Sequence, residues 1–429
     1  MPALSDALRP PLVFGPAALT TAAVQGADLG ALSARALMLA SDEAALAYDA
    51  SLLKQFAFQP GQAMELQTSA LGVSRLFRIR REAEPEPAIR LLALMSPGDL
   101  MANTPLDFIT RHLDVQLDLL FMVPGSGLPR MIPDHDLMFV ASSEPDPVTL
   151  GRMRRLVRRW PRPVLNDPAL LPRLARDRLP GLLSDQPAIC SPATALTGRT
   201  ALSAVAAGRA SMADLLQGEG FPVLVRPRRS HAGIGLERLE TAGAILGYLA
   251  KSGDDEFYVS RFHDYRSPDG LYRKYRVGFI DGRPYLCHMA VSRHWMVHYL
   301  NAGMAGSEAK RADEAAAMAR FDDDFAVRHG AAFAALSRRS GFDFFSIDCG
   351  ELLDGRLVLF EADTAAIVHM MDPVETFPYK HVHMRRVFAA FEAMLRQRCP
   401  WLADAPVALR PDCPFLTAAS APSRGGRHA

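Results

Sequence analysis

The stretch Gly341-Phe-Asp-Phe-Phe-Ser-Ile-Asp348-Cys-Gly-Glu-Leu-Leu-Asp354-Gly355-Arg-Leu-Val-Leu-Phe-Glu361-Ala-Asp363 sets two runs of aromatic and branched residues on either side of an Asp-Gly pair. Asp-Gly between such runs is a strong hairpin-turn signal. A two-residue loop there pairs Leu353 with Arg356, and counting back along both arms sets Asp348 opposite Glu361. Opposed Cβ atoms in a hairpin lie roughly 5 Å apart. Asp363, two residues beyond Glu361, points to the same face. Three carboxylates then share one patch at the end of a ribbon, and directly opposed carboxylates repel. A divalent cation would compensate them. Oxygen-only donors at strand spacing suit Mg²⁺ or Mn²⁺, and Mg²⁺ needs only one or two carboxylates plus substrate phosphates. A solvated acidic strand end with arginine neighbours is the alternative reading of the same residues.

The whole chain sets the bounds. It has 429 residues, 49% of them apolar, and a formal net charge of +1. That length exceeds one ordinary core and suggests two or three domains. The near-zero charge argues against a general nucleic-acid binder. Cys190, Cys287, Cys349, Cys399 and Cys413 show no metal-site spacing, and their odd number fits reduced cytosolic thiols. No apolar run reaches membrane-spanning length. The N-terminus lacks a basic region followed by an apolar core, because Pro10-Pro11 interrupts it. The expectation is a cytoplasmic protein with neither nucleic acid nor membrane as partner.

Residues 1–85 read as an alanine-rich helical appendage, with helical patterns over 31–53 and 61–80 and a polar, proline-bearing linker at 82–88. The appendage serves packing or an interaction. Residues 86–185 read as an α/β domain. Short apolar runs at 89–95, 115–123, 137–141 and 163–166 alternate with helices, including a basic one over 146–160 and another over 167–183. Ligands of such sheets sit beyond the carboxyl ends of the strands. Residues 96–104, with Asn103 or Thr104 as a helix cap before Pro105, are therefore either a substrate loop or an ordinary strand-to-helix connection.

Residues 190–194 read as an extended connector and 195–218 as helical. The run Phe221-Pro-Val-Leu-Val-Arg226 is a strand leading into Pro-Arg-Arg-Ser230-His231-Ala-Gly233-Ile-Gly235, after which a second strand begins. A glycine loop between strands lets backbone N–H groups approach phosphate oxygens closely. No Gly-Lys-Ser/Thr closes it, so it is not a Walker A loop, and a plain turn is the alternative. Strands follow at 256–262 and 274–280, the latter with Lys274 and Arg276 on one face, and Asp281-Gly282 makes a hairpin turn. Arg293-His294-Trp-Met-Val-His298-Tyr-Leu-Asn301 gathers polar groups on an aromatic stretch, some of which serve structure. A helix over 325–340 leads into the carboxylate hairpin, one over 387–398 closes the domain, and the tail, 401–429, reads as disordered.

The order of these parts resembles the ATP-grasp superfamily, which includes glutathione synthetase and D-alanine–D-alanine ligase. The resemblance runs over about residues 89–395 and rests on the ordered set. It implies an α/β (α+β) fold, with a parallel α/β domain preceding an ATP-grasp domain at 186–400 whose two α+β subdomains hold nucleotide between them. It implies ATP and Mg²⁺ as cofactors, Mn²⁺ being a substitute. By position, Arg178 and Arg226 would contact phosphates, Ser230, His231, Gly233 and Gly235 would cover them, and Ser260, Arg261 and Phe262 would lie on the strand that reads the adenine edge. Lys274 would bind the nucleotide, Arg276 would sit near the γ-phosphate and the intermediate, and Asp348, Glu361 and Asp363 would hold the metal.

The implied activity is carboxylate–amine or carboxylate–thiol ligation through an acyl phosphate, with a carboxylate-bearing small molecule or peptide as substrate. Arg276 and Arg293 would be catalytic, and Asn103, His294, His298 and Asn301 would line the substrate pocket. A homodimer is compatible with the resemblance. Two departures stand out: arginines replace the family's two usual phosphate lysines, and its Glu-x-Asn is Glu361-Ala-Asp363. Arginine keeps the charge but changes reach and geometry. The alternative is a degenerate ATP-grasp protein that binds nucleotide as a sensor or scaffold, and a kinase-like or protein-modifying enzyme on the same fold is a third reading.

Overall fold

The structure, a computed structural model, describes residues 10–402 except 25, 29, 33, 35–37, 39–41, 82–86, 231 and 232. The expected tail thus lies almost wholly outside the described residues. The chain divides into two compact units. Of the described residues, the first takes those up to Pro168, Thr364–Met371 and those from Met384 on; the second takes those within Ala169–Asp363 and Asp372–His383.

The first unit is built on six strands: β1 (Leu12–Val13), β2 (Leu76–Ile79), β3 (Ile89–Met95), β4 (Val115–Phe121), β5 (Leu137–Val140) and β6 (Val164–Leu165). Their order is β1-β2-β4-β3-β5-β6, parallel throughout β4-β3-β5-β6, with β2 antiparallel to β4. β3 is buried apart from Arg90, as a parallel strand covered on both faces requires. Leu92, Leu94, Leu120, Met138, Val140 and Met153 form one side of its core.

The expected separate appendage at 1–85 is corrected here, because β1 and β2 belong to this sheet. The helix Pro60–Val73 stops short of residue 80, and Leu76-Phe-Arg-Ile79 is a strand. A segment of four residues is too short to carry a period that separates helix from strand, and tertiary pairing decides. Phe77 stacks on Tyr48 at 4.8 Å and meets Phe121 edge-on. Arg78 forks onto Asp118 of β4 with bonds of 2.7 and 2.8 Å.

Asn103, expected in a substrate loop, spends its side chain on structure. Its Oδ1 accepts from Ser96 N–H (2.7 Å) and its Nδ2 donates to Ser96 O (2.8 Å), closing the loop after β3.

Two buried carboxylates hold the start of the helix Gly15–Val24. Asp49 accepts from the N–H groups of Phe14 (2.9 Å) and Gly15 (3.2 Å), and Asp107 from that of Ala17 (2.6 Å).

The second unit contains two sheets. β8 (Thr194–Gly198), β9 (Val223–Pro227), β10 (Glu237–Leu239) and β11 (Glu256–Arg261) form an antiparallel sheet ordered β10-β9-β11-β8. β8 lies inside the segment expected to be helical; only Arg199–Ala206 and Met212–Leu215 are helices there. Val223, Val225, Phe257 and Val259 face a core shared with Leu202, Val205, Ile245 and Leu249. The other sheet joins β7 (Ile189–Cys190), β12 (Tyr272–Ile280), β13 (Arg283–Ser292), β14 (Phe344–Glu351) and β15 (Leu357–Asp363) in the order β13-β12-β14-β15-β7. Phe279 stacks on Phe345 at 4.6 Å and meets Phe333 of the helix Gly330–Ser340 edge-on. The expected helix over 167–183 is instead a short 3₁₀ turn, Leu171–Leu174, and a helix, Leu179–Leu183.

Burial pushes the Asp49 carboxyl up to about 7 in spite of its two backbone bonds. Asp49 therefore binds its proton more tightly in the folded than in the unfolded chain. Its contribution to stability falls as pH rises from about 4 to about 7. The Tm advantage of the parent over Asp49→Asn is expected to shrink between about pH 5 and about pH 8, followed by calorimetry. A gap constant across that range would mean that Asp49 ionises normally.

Candidate functional site

The carboxylate hairpin reaches the expected register by an unexpected route. Leu352 N–H donates to Arg356 O (3.0 Å), so Leu353-Asp354-Gly355 is a three-residue loop with Gly355 at φ 84°. That loop slips the pairing by one: Glu351 faces Leu357 and Gly350 faces Val358. A bulge at Phe360 then takes the slip back, so Asp348 does face Glu361 and Ser346 faces Asp363. Gly350 makes room for the bulge, since a Cβ there would lie 2.9 Å from Tyr265 Cδ2 and 3.2 Å from Phe360 Cζ.

On the other side of β14, Arg276 of β12 directly opposes Asp348. Arg276, Asp348 and Glu361 thus form one cross-strand row. Lys274 and Asp363, each two residues along its strand, lie on the same face. The Arg276 fork grips Asp348 with bonds of 2.8 and 3.0 Å, and Lys274 Nζ lies 2.7 Å from Asp348 Oδ2. Arg176 donates to Glu361 Oε2. Burial opposes ionisation of Asp348, but the Arg276 and Lys274 charges outweigh it and hold the carboxyl well below its usual range. Burial likewise opposes ionisation of Glu361, and Arg176 is the main group that brings it low. Asp363 goes the other way: burial and the Glu361 charge push it up to about 7.

Among the described residues, no three His, Cys, Asp or Glu side chains converge as a ready-made ligand set. The donors at the row are nonetheless those of a hard cation: three carboxylates and the Ser346 hydroxyl. Ser346, opposite Asp363 and on the Asp348 face, is 3% exposed, and its Oγ has no partner among the described residues.

Arg178, expected to contact phosphate, is not the arginine that the structure brings to the carboxylates. It is exposed at the start of the helix Leu179–Leu183, and the arginine of that segment that reaches the carboxylates is Arg176. No periodic pattern orients side chains in this irregular stretch, so sequence reasoning could find the basic segment but not the residue.

The glycine loop follows β9. Arg226 lies on the face opposite the buried Val223 and Val225, across from Tyr258 of β11. Glu237 takes Lys251 and Glu240 takes Arg238 as ion-pair partners. Ser230 Oγ donates to Pro227 O (3.0 Å), and His231 lies outside the described residues. Gly233 and Gly235 adopt φ of 76° and 67°. A Cβ on Gly233 would lie 2.3 Å from His298 Nε2, so the imidazole packs directly on the loop backbone. That Nε2 is buried with no partner among the described residues. Burial, then the Lys274 charge, hold the imidazole below its ordinary pKa.

Ser260 pairs within the sheet. Two other expected cofactor contacts have structural roles for their side chains. Arg261 donates to Gly220 O (2.7 Å) and Pro222 O (3.2 Å). Phe262 lies under the Arg238 guanidinium at 4.1 Å and edge-on to Trp295. Arg293, expected to be catalytic, and His294, expected in the substrate pocket, are exposed, and Asn301 accepts from His298 N–H (3.1 Å) through its Oδ1.

Sequence reasoning missed a buried strut beneath His298. Glu314, with no exposed surface, accepts from Tyr299 OH (2.9 Å), Tyr379 OH (2.6 Å) and Met289 N–H (3.1 Å). Lys380 Nζ lies 3.5 Å from Glu314 and 3.1 Å from Asp372. Only Tyr299 of this group is next to a residue singled out from the sequence, and nothing in local pattern joins it to Lys380.

No family model and no curated protein matches the chain. Solved structures do. The chain is similar in fold to D-alanine–D-alanine ligase from Bacillus anthracis complexed with ATP, at 13% identity over 72% of this chain and 98% of that one, TM-score 0.42. Another structure of that ligase gives 12% identity, the same coverage and a TM-score of 0.40. An ATP-grasp RimK domain protein from Sphaerobacter thermophilus gives 16% identity over 72% of this chain and 99% of that one, TM-score 0.36. No helix among the described residues is long and apolar enough to cross a membrane.

Gly233→Ala would drive a Cβ into the space of His298 Nε2, in a backbone conformation that L residues rarely adopt. The His298 pKa is expected to rise from its depressed value toward about 6.5 as the ring leaves its buried place. NMR titration of the histidine Cε1–H resonances measures this. Identical titration in parent and variant would remove the contact.

Proposed function

We propose that the second unit is an ATP-grasp module that binds ATP with Mg²⁺ and joins a carboxylate to an amine, or to a thiol, through an acyl phosphate. The observation that carries this reading is the Arg276–Asp348–Glu361 row, with Lys274, Asp363, Arg176 and the Ser346 hydroxyl, which has no partner among the described residues, gathered around it. The ordered strand and loop signals of the sequence support it. The solved-structure likeness is not needed for it.

In this reading Asp348, Glu361 and Asp363 would hold Mg²⁺, which would supply charge neutralisation to the phosphates. Arg226 sits at the glycine loop to receive phosphate oxygens with a planar, charge-assisted fork. Backbone N–H groups at Gly233 and Gly235, freed from side-chain bulk, cover the phosphates. Arg276 and Lys274 neutralise negative charge as the γ-phosphoryl passes to the substrate carboxylate. The amine or thiol then attacks the acyl carbon, its bond to the phosphate oxygen breaks, and phosphate leaves. This is catalysis by positioning and electrostatics, without a protein nucleophile. The substrate is a carboxylate-bearing small molecule or peptide.

The ion pairs already answering Asp348 and Glu361 favour a second reading, a nucleotide-binding sensor or scaffold without ligation. A screen of amino acids and peptides for release of ADP and phosphate separates the two. Turnover with any acceptor supports ligation, and phosphate retained on product supports a kinase-like activity instead.

Asp348→Asn and Glu361→Gln are each expected to weaken Mg-ADP binding in calorimetry. Arg226→Met is expected to cost about 1.5–3 kcal/mol of nucleotide affinity, the scale of hydrogen bonds to charged groups, with Tm near that of the parent. Parent-like nucleotide affinity in all three variants would overturn the site assignment.

A further inference from the structure

We infer that Arg176, Lys274 and Arg276 are exchangeable counter-ions. In the protein alone they hold the carboxylates of Asp348 and Glu361, and nucleotide phosphates draw them away, so that the divalent cation and the nucleotide bind as a mutually dependent pair. The inference rests on the nucleotide reading above and adds to it an order of events and a role for Arg176.

Both oxygens of Asp348 are engaged. Arg276 Nε lies 2.8 Å from Oδ1, Arg276 Nη2 lies 3.0 Å from Oδ2, and Lys274 Nζ shares Oδ2 at 2.7 Å. Arg176 holds Oε2 of Glu361. A cation arriving alone would have to push two or three basic groups off these oxygens and leave them without counter-charge. Breaking these partly buried ion pairs without replacing them is unfavourable. A phosphate chain removes the obstacle, because guanidinium forks and an ammonium find equivalent charge-assisted partners on its oxygens.

Exposure separates the two halves of the Asp348 pairs. The Asp348 side chain is 2% exposed, whereas those of Lys274 and Arg276 are 17% and 21% exposed; Arg176 and Glu361 are alike, at 27% and 22%. The carboxylate is fixed in the sheet, and the long basic side chains reach the surface and can turn there. The Ser346 hydroxyl, buried on the same face without a partner among the described residues, gains one when the cation arrives. By linkage, whatever ADP does to metal affinity, metal does to ADP affinity by the same factor.

The test uses the full chain, Mn²⁺ as a paramagnetic probe and ADP as the nucleotide. Free Mn²⁺ is followed by electron paramagnetic resonance and ADP by calorimetry. In the parent, ADP is expected to raise Mn²⁺ affinity about tenfold or more, and Mn²⁺ to raise ADP affinity by the same factor. Arg176→Met and Lys274→Met, each checked for folding by circular dichroism, are expected to bind Mn²⁺ alone more tightly than the parent and ADP more weakly. Because the two variants alter different carboxylates, one that fails to fold leaves the other as the test. Mn²⁺ affinity that ADP does not change, or that falls in both variants, overturns the exchange and leaves the nucleotide reading standing. ADP that fails to bind the parent with or without Mn²⁺ overturns both.

Discussion

The Arg276–Asp348 fork, near one end of the β12–β14 pairing, is the interaction around which the second unit is arranged. Asp348 is buried, and a buried carboxylate without a counter-charge would take up a proton or unfold its surroundings. Arg276 and Lys274 together prevent that. The fork also fixes which residue of β12 opposes which of β14, because a slip by one would turn every side chain to the other face. With Asp348 set, the pairing to β15 places Glu361 beside it and Asp363 one row on. The charge balance then tightens from one end of the row to the other. Asp348 has two cations, Glu361 has Arg176, and Asp363, buried and next to the charged Glu361, holds its proton until about pH 7.

Backbone room is the second constraint. Gly350 lets the Phe360 bulge lie against the strand, and without that bulge the three-residue loop at the hairpin tip would leave Asp348 out of line with Glu361. Gly233 lets the His298 ring approach the loop backbone closer than any side chain permits. Both glycines convert an absent Cβ into a contact between segments distant in sequence. The Glu314 strut works from below. It fixes Tyr299, and the turn that carries His298 and Asn301 follows. A buried charged network of this kind contributes less to net stability than to holding one arrangement, provided that its members are all paired.

Much of the hairpin chemistry was legible before any coordinates. The Asp281-Gly282 turn is a two-residue loop with both residues at positive φ, as its sequence suggests. The same dipeptide at 354–355 is not, because Leu353 joins the loop. The expected facing of Asp348 and Glu361 survived only because the bulge compensates for the longer loop. Dipeptide signals report local backbone preference, and they do not report a residue that packs against Tyr265 some ninety positions away.

The sequence by itself determined the elements with strong local grammar: the alternating and continuous apolar strands, the glycine loop, the shared face of Lys274 and Arg276, and the carboxylate pattern at 348, 361 and 363. Period, turn chemistry and charge are properties of neighbours along the chain, and they need no fold to be read. Tertiary structure alone decided that β1 and β2 complete the first sheet, that residues 194–198 are a strand, and that Asn103 closes a loop. It also decided that Arg176 reaches Glu361 while Arg178 does not, and that Glu314 and Lys380 meet beneath His298. Each of these depends on a partner distant in sequence. In short or irregular segments the backbone has no period of its own, so the direction of a side chain is set by what it packs against.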